Sequence, residues 1–145
     1  MKGTTHALAG GLAGAIIGPP LPAFLGGVIM HAALDVVPHR DEEDPPLFHL
    51  AVDALAVLTV LTVAVLTGNI GMAAGAIGGV VPDIENVPDI MFKRKYRKVF
   101  PSHWFEHERY AGSRWARYGE LAVIVVVAMG LAFVIRRTGL GGMVK

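Results

Sequence analysis

Apolar runs, broken at intervals by proline, glycine and short polar clusters, organise this chain. From about Thr4 to Ile17 nearly every residue is alanine, glycine, leucine or isoleucine, and the run stops at Gly18-Pro19-Pro20. Proline lacks an amide donor and collides with the preceding turn, so a first helix ends there. A second apolar run from Pro22 to about Val37 predicts helix two. The third, Leu47 to Thr67, follows the start signal Pro45-Pro46 and carries only His49 and Asp53 as ionisable groups. Gly68-Asn69 predicts a tight turn, after which helix four runs from Ile70 to about Val81 and stops at Pro82. Helix five, Tyr118 to Ile135, contains LAVIVVVAMGLAFVI and ends at Arg136-Arg137. The pattern predicts an all-α bundle of about five helices.

Composition places that bundle. The 145 residues fit one domain, 1–145, and are 53% hydrophobic. The mean hydropathy of +0.52 exceeds that of ordinary soluble domains, which points to an integral-membrane bundle. Helix three is long enough for a bilayer core of about 30 Å at about 1.5 Å per residue. Helices one, two and four are short and rich in glycine and alanine, as suits close helix packing in lipid. A soluble helical bundle with a very apolar core is the alternative. The chain has no cysteine, which excludes disulfides and thiolate metal sites. The opening MKGTTHALAGGLAGAIIGPP resembles a signal peptide superficially, but His6 and the absence of a small-x-small cleavage site predict that it is retained.

In an up-and-down bundle with short turns, successive helices leave and return to one face. His6 starts helix one, Asp35 and His39 end helix two, and His49 and Asp53 start helix three. Asp83 and Glu85 end helix four, and His103 and His107 precede helix five. All six histidines and all 12 acidic residues therefore belong at or near one end, as do ten of the 13 basic residues. The opposite turns, GPPLP and GNI, carry no ionisable side chain. The positive-inside tendency makes the histidine end cytoplasmic in a multi-pass inner-membrane protein.

Residues four apart share a helix face, so His31/Asp35 and His49/Asp53 form two H-x-x-x-D pairs. In an antiparallel hairpin, ligand groups from both pairs converge. Imidazole nitrogen plus carboxylate oxygen suits zinc first, or manganese or iron(II). His6 and the Asp83/Glu85 pair belong to neighbouring helix ends and offer a second ion. His103 and His107, in SHWFEH, form a further H-x-x-x-H pair. The plainer reading of a buried His–Asp pair is a hydrogen-bonded helix clamp, but polar groups inside a membrane are costly and usually functional.

Met91 to Tyr118 interleaves eight Lys/Arg with aromatic residues. Within the interfacial segment 88–118, this fits the headgroup layer, with anionic headgroups meeting 92–117. Nucleic-acid binding is the rival reading, and the apolar flanks disfavour it.

The segments KGTTHALAG, GGVIMHAALDVVPH and GAIGGVVPDIEN resemble motifs of membrane-bound metal-dependent hydrolases of bacterial and archaeal inner membranes. That family is similar in motif style to zinc-dependent phospholipase C. The resemblance covers about half of the chain and implies His6, His31, Asp35 and Asp83 as metal ligands, with Glu85 where the family often has a second aspartate. Asn86 stands where the family usually has histidine, and PDIEN follows the other motifs where the family's order would have it precede them. The expected activity is metal-dependent hydrolysis, specifically of a phosphoester on a lipid or other membrane-proximal substrate, with Asp53 or Glu85 as general base. A metal-binding or transport protein, and a non-catalytic membrane protein with His–Asp clamps, are the alternatives.

Overall fold

The computed structural model describes residues 3–37, 47–104 and 114–137, which are mostly helical, with no strand among them. The breakers separate α1 (Gly3–Ile17), α2 (Pro20–Val36), α3 (Leu47–Leu66) and α4 (Ile70–Val80). A 3-10 turn over Val81–Asn86 leads into the short α5 (Val87–Phe92), and a second over Pro101–Trp104 precedes α6 (Arg114–Arg137). The last helix thus begins a turn before Tyr118. The two 3-10 turns and α5 are additions to the expected scheme.

Local chemistry explains the joints. Gly18, at φ 89°, turns the chain out of α1, and Pro20 and Pro22 start α2 where missing amides cost nothing. The Asn69 side chain caps α4 by accepting the Met72 N–H at 2.9 Å. The start of α1 is capped from another helix. Asp53 of α3 accepts the Thr4 N–H at 2.8 Å and also the Thr4 hydroxyl.

At 11 residues, α4 is short, yet α1, α2 and α3 all pack on it. Its glycines leave no side chain between backbones. A methyl on Gly75 would collide with the Gly10 carbonyl and stand 2.7 Å from Gly14 Cα, and one on Gly27 of α2 would meet the Gly75 carbonyl. Small residues at four-residue spacing permit this approach, as in helix pairs packed within lipid. The rest of the core is similarly small: Ala9, Ala64 and Ala76 are buried with Val60, Leu34 and Met72. α6 closes the bundle, setting Val127 against Ala9 and Leu34 while Leu131 and Val134 reach the cluster around Met72.

The large apolar side chains face outward. Ile16 is 72% exposed, Leu21 and Ile29 are each 70%, and Val65 is 77%. Among the described residues, however, no helix is long and apolar enough to cross a membrane. In α3, expected to span, His49 and Asp53 occupy the first two turns. The remaining stretch, Ala54–Leu66, measures about 20 Å at 1.5 Å per residue.

Gly75→Ala should destabilise the bundle by about 1–3 kcal/mol, because the new methyl meets backbone that cannot yield. Gly18→Ala, with nothing within 4 Å of its new methyl, should cost only the positive-φ strain of about 1–2 kcal/mol. Thermal unfolding in detergent would compare them. A silent Gly75→Ala would rule out the glycine contact as the limiting constraint.

Candidate metal centre

Pro82 connects the glycine packing to the site. In the 3-10 turn that ends α4, a carbonyl looks three residues ahead for its donor, and Gly79 finds a proline there with no N–H. The Gly79 carbonyl instead accepts Nδ1–H of His31 at 2.8 Å. This bond fixes the tautomer of the imidazole and leaves Nε2 pointing the other way, toward Asp35 Oδ2 at 3.1 Å and His103 Nε2 at 3.1 Å.

His103 is oriented in the same manner. Its Nδ1–H is donated to Glu85 Oε1 at 2.6 Å, so its Nε2 turns inward, 3.7 Å from both Asp35 Oδ2 and Asp83 Oδ1. His6 completes the cluster. Its ring stacks on His31 with centroids 3.9 Å apart, and its Nε2 lies 3.3 Å from Asp35 Oδ1.

Burial sharpens the chemistry. His6 and His31 are each 1% exposed and Asp35 is 4%. Both His6 nitrogens, Asp35 Oδ2 and Asp83 Oδ2 are buried and make no hydrogen bond among the described residues. Leaving such groups unpaired costs about 1–3 kcal/mol each, so their convergence calls for a shared partner. Donors about 2.0–2.1 Å from one ion stand roughly 2.9–3.4 Å apart as the angle between them opens from 90° to tetrahedral. Within the group His31, Asp35 and His103, the two 3.1 Å separations fall in that range, and the third, His103 Nε2 to Asp35 Oδ2, is wider at 3.7 Å. Two groups could hold a metal ion: His6, His31 and Asp83, and His31, Asp35 and His103. They share His31, and within each group the ligand atoms lie within 4.8 Å of one another. The donors are nitrogen and carboxylate oxygen, a set suited to zinc, manganese or iron(II).

The structure thus brings together His6, His31, Asp35, Asp83 and His103. His39 and His107 lie outside the described residues, as does the side chain of His49 in the first turn of α3. The two carboxylates expected to act as bases are occupied elsewhere. Asp53 caps α1 through Thr4. Glu85 spends both oxygens on the Val99 and Phe100 amides and on His103, whose ring it orients. Burial alone would raise the Glu85 pKa, but hydrogen bonds from Val99, His103 and Phe100 outweigh it and hold the pKa below the usual glutamate range.

Asp89 was missed as a structural residue. It accepts the Tyr96 N–H at 3.0 Å and pairs with Lys98, pinning the chain that delivers His103. The repeat Val81-Pro82-Asp83-Ile84 and Val87-Pro88-Asp89-Ile90 was the available signal: one aspartate faces the cluster and the other anchors the approach to it. Compared with protein families, characterised proteins and solved structures, the chain matches none.

Because Glu85 titrates lower folded than unfolded, its contribution is complete above the usual glutamate range and is lost as pH falls through its lowered pKa. Hydrogen-exchange protection of the Val99 and Phe100 amides, corrected for intrinsic rates, should fall as pH is lowered from neutral through the lowered pKa of Glu85. Glu85→Gln should flatten that dependence. Unchanged protection in the wild type would show that Glu85 does not hold this segment.

Proposed function

We propose that this chain is a membrane-embedded, divalent-metal-dependent hydrolase that cleaves a phosphoester on a lipid or another membrane-proximal substrate. The observation that carries the reading is the pair of anchored imidazoles. His31 and His103 each commit Nδ1–H to a fixed acceptor and turn Nε2 toward the other at 3.1 Å, beside the Asp35 carboxylate. His6 and His31 lie 3.3 and 3.1 Å from the Asp35 carboxylate, as in a helix clamp, but both His6 nitrogens, Asp35 Oδ2 and Asp83 Oδ2 make no hydrogen bond among the described residues.

Zinc, manganese or iron(II) bound there would polarise a phosphoryl oxygen and lower the pKa of a bound water to about 7. The protein's own groups prepare that chemistry. Gly79 and Glu85 orient the two imidazoles, and Asp35 supplies negative charge among three histidines. Asp83, with Oδ1 engaged by Asn86 and Oδ2 buried and unbonded, is the carboxylate free to ligate or to take a proton. His6, stacked on His31, extends the donor set toward a second ion.

The membrane setting is supported by the outward-facing isoleucines, leucines and valines around a core of alanine and glycine. Exposed apolar surface on this scale marks a surface that meets lipid or protein. The histidine end would face the cytoplasm. The motif resemblance to membrane-bound metal-dependent hydrolases agrees with this assignment.

Elemental analysis of protein purified in detergent without chelator should find about one or more equivalents of zinc, manganese or iron. Asp35→Ala and His31→Ala should lose the metal together with hydrolysis of a lipid phosphoester. Asp53→Ala should keep the metal while losing about 1 kcal/mol of stability through the lost α1 cap. A metal-free wild type would leave the His–Asp groups as helix clamps and end the hydrolase reading.

A further inference from the structure

The segment Lys93–Trp104 leads from α5 back to the cluster. Lys93 adopts a left-handed conformation, at φ 51°, and the chain then doubles back over the turn it has just left. Its inward bonds converge on two acidic residues. Asp89 takes the Tyr96 N–H and Lys98, and Glu85 takes the Val99 and Phe100 amides and the His103 ring. The Trp104 indole donates to the Lys98 carbonyl at 3.0 Å and closes the strap.

The outward face has a different chemistry. Lys93, Arg94, Lys95 and Arg97 are exposed, and the exposed Phe92, Tyr96, Val99 and Trp104 stand beside or among them. Cations interleaved with aromatic and aliphatic side chains match an anionic bilayer surface, where ammonium and guanidinium groups meet phosphates while the rings enter the headgroup layer. A soluble acidic partner would match the charges but leave the exposed rings unexplained. The strap also continues an apolar exterior already suited to lipid.

We infer that the Lys93–Trp104 strap docks on anionic phospholipid headgroups, and that this contact holds His103 at the cluster. The inference deepens the metal-centre reading and rests on it for the role of His103; the lipid contact has its own readout. One continuous segment carries both the lipid-facing cations and a metal-type ligand, held from beneath by Glu85 and Asp89. Lipid contact would restrict the strap from its other side, so the cluster gains its third imidazole most firmly at an anionic surface. A membrane-proximal site completed in this way discriminates against acting away from the membrane.

The test uses the full chain carrying Trp115→Phe, so that Trp104 is the one remaining indole, in nanodiscs of phosphatidylcholine alone or mixed equally with phosphatidylglycerol. Brominated phosphatidylglycerol should quench Trp104 more strongly than brominated phosphatidylcholine at equal content, and added salt should weaken the difference. The variant K93Q/R94Q/K95Q/R97Q should abolish it. Cobalt(II), titrated by its ligand-field absorbance, should bind roughly tenfold more tightly in the mixed nanodiscs, since a repositioned ligand contact changes metal affinity on that scale. That gain should vanish in the quadruple variant, whereas the two proteins should bind cobalt equally in neutral detergent. Equal quenching by the two brominated lipids would overturn the inference, as would a phosphatidylglycerol preference that survives the quadruple variant. Equal quenching with an RNA mobility shift would assign the cations to nucleic acid instead. Selective quenching with equal cobalt affinity in both nanodiscs would overturn the His103 link. Absence of cobalt binding in every medium would defeat the metal reading, with the quenching still deciding the lipid contact.

Discussion

The backbone of α4 lies directly on the backbones of α1 and α2, and the polar cluster depends on that approach. At Gly75 and Gly79, carbonyl oxygens and α-carbons of neighbouring helices occupy the space a side chain would need. Gly79 serves twice. A methyl there would collide with the His6 carbonyl of α1, while the Gly79 carbonyl receives the His31 ring of α2. The same close contact therefore sets the register of both helices and stacks the two imidazoles at 3.9 Å. Any residue larger than glycine would separate the helices before it changed a ligand, so the fold and the site share one constraint.

A carboxylate and two imidazoles buried at this depth would be costly without compensation. Gly79 and Glu85 meet part of the requirement by fixing His31 and His103 at their Nδ1 atoms. They do not satisfy the inner atoms. Both His6 nitrogens and one oxygen each of Asp35 and Asp83 make no hydrogen bond among the described residues, although imidazole nitrogens stand 3.1–3.3 Å from the Asp35 carboxylate. Outer bonds made and inner bonds left open are what metal ligands display, since the outer partner orients the ring and the ion completes it. Closing the network with hydrogen bonds alone would require rotating groups that Gly79 and Glu85 already hold.

The sequence made the helices legible because proline and glycine act locally: Gly18-Pro19-Pro20, Gly68-Asn69 and Pro82 mark the boundaries within a residue or two. The His31/Asp35 pair was legible for a similar reason, since i,i+4 spacing fixes a shared helix face. The gathering of His6, Asp35 and Asp83 at one end followed from the parity of the helices. The roles of Glu85 and Asp53 were not legible. Both sit at sequence positions suited to catalysis, but a carboxylate is assigned by the donors that reach it. Those donors, Val99, Phe100 and Thr4, are amides whose positions depend on the path of distant chain. His103 was nominated, yet its entry depends on the left-handed turn at Lys93, which lysine does not announce.

The exterior poses the remaining physical problem. Large aliphatic side chains outside and alanine and glycine inside invert the usual arrangement of a water-soluble bundle, in which the bulkiest apolar groups fill the core. Small inward residues instead let short helices gain packing from backbone proximity, and such packing does not need water to drive it. The helices are nevertheless short: α4 has 11 residues and α1 has 15, lengths of about 16 and 22 Å at 1.5 Å per residue. A bundle with these dimensions would place its ends close to the headgroup layers. On the proposed reading, the short helices and the site then form one arrangement: a cluster at the helix ends lies at the depth of a lipid ester while its walls remain in hydrocarbon. The same shortness that keeps these helices from spanning would bring the reactive groups to the surface where a lipid substrate presents its phosphate.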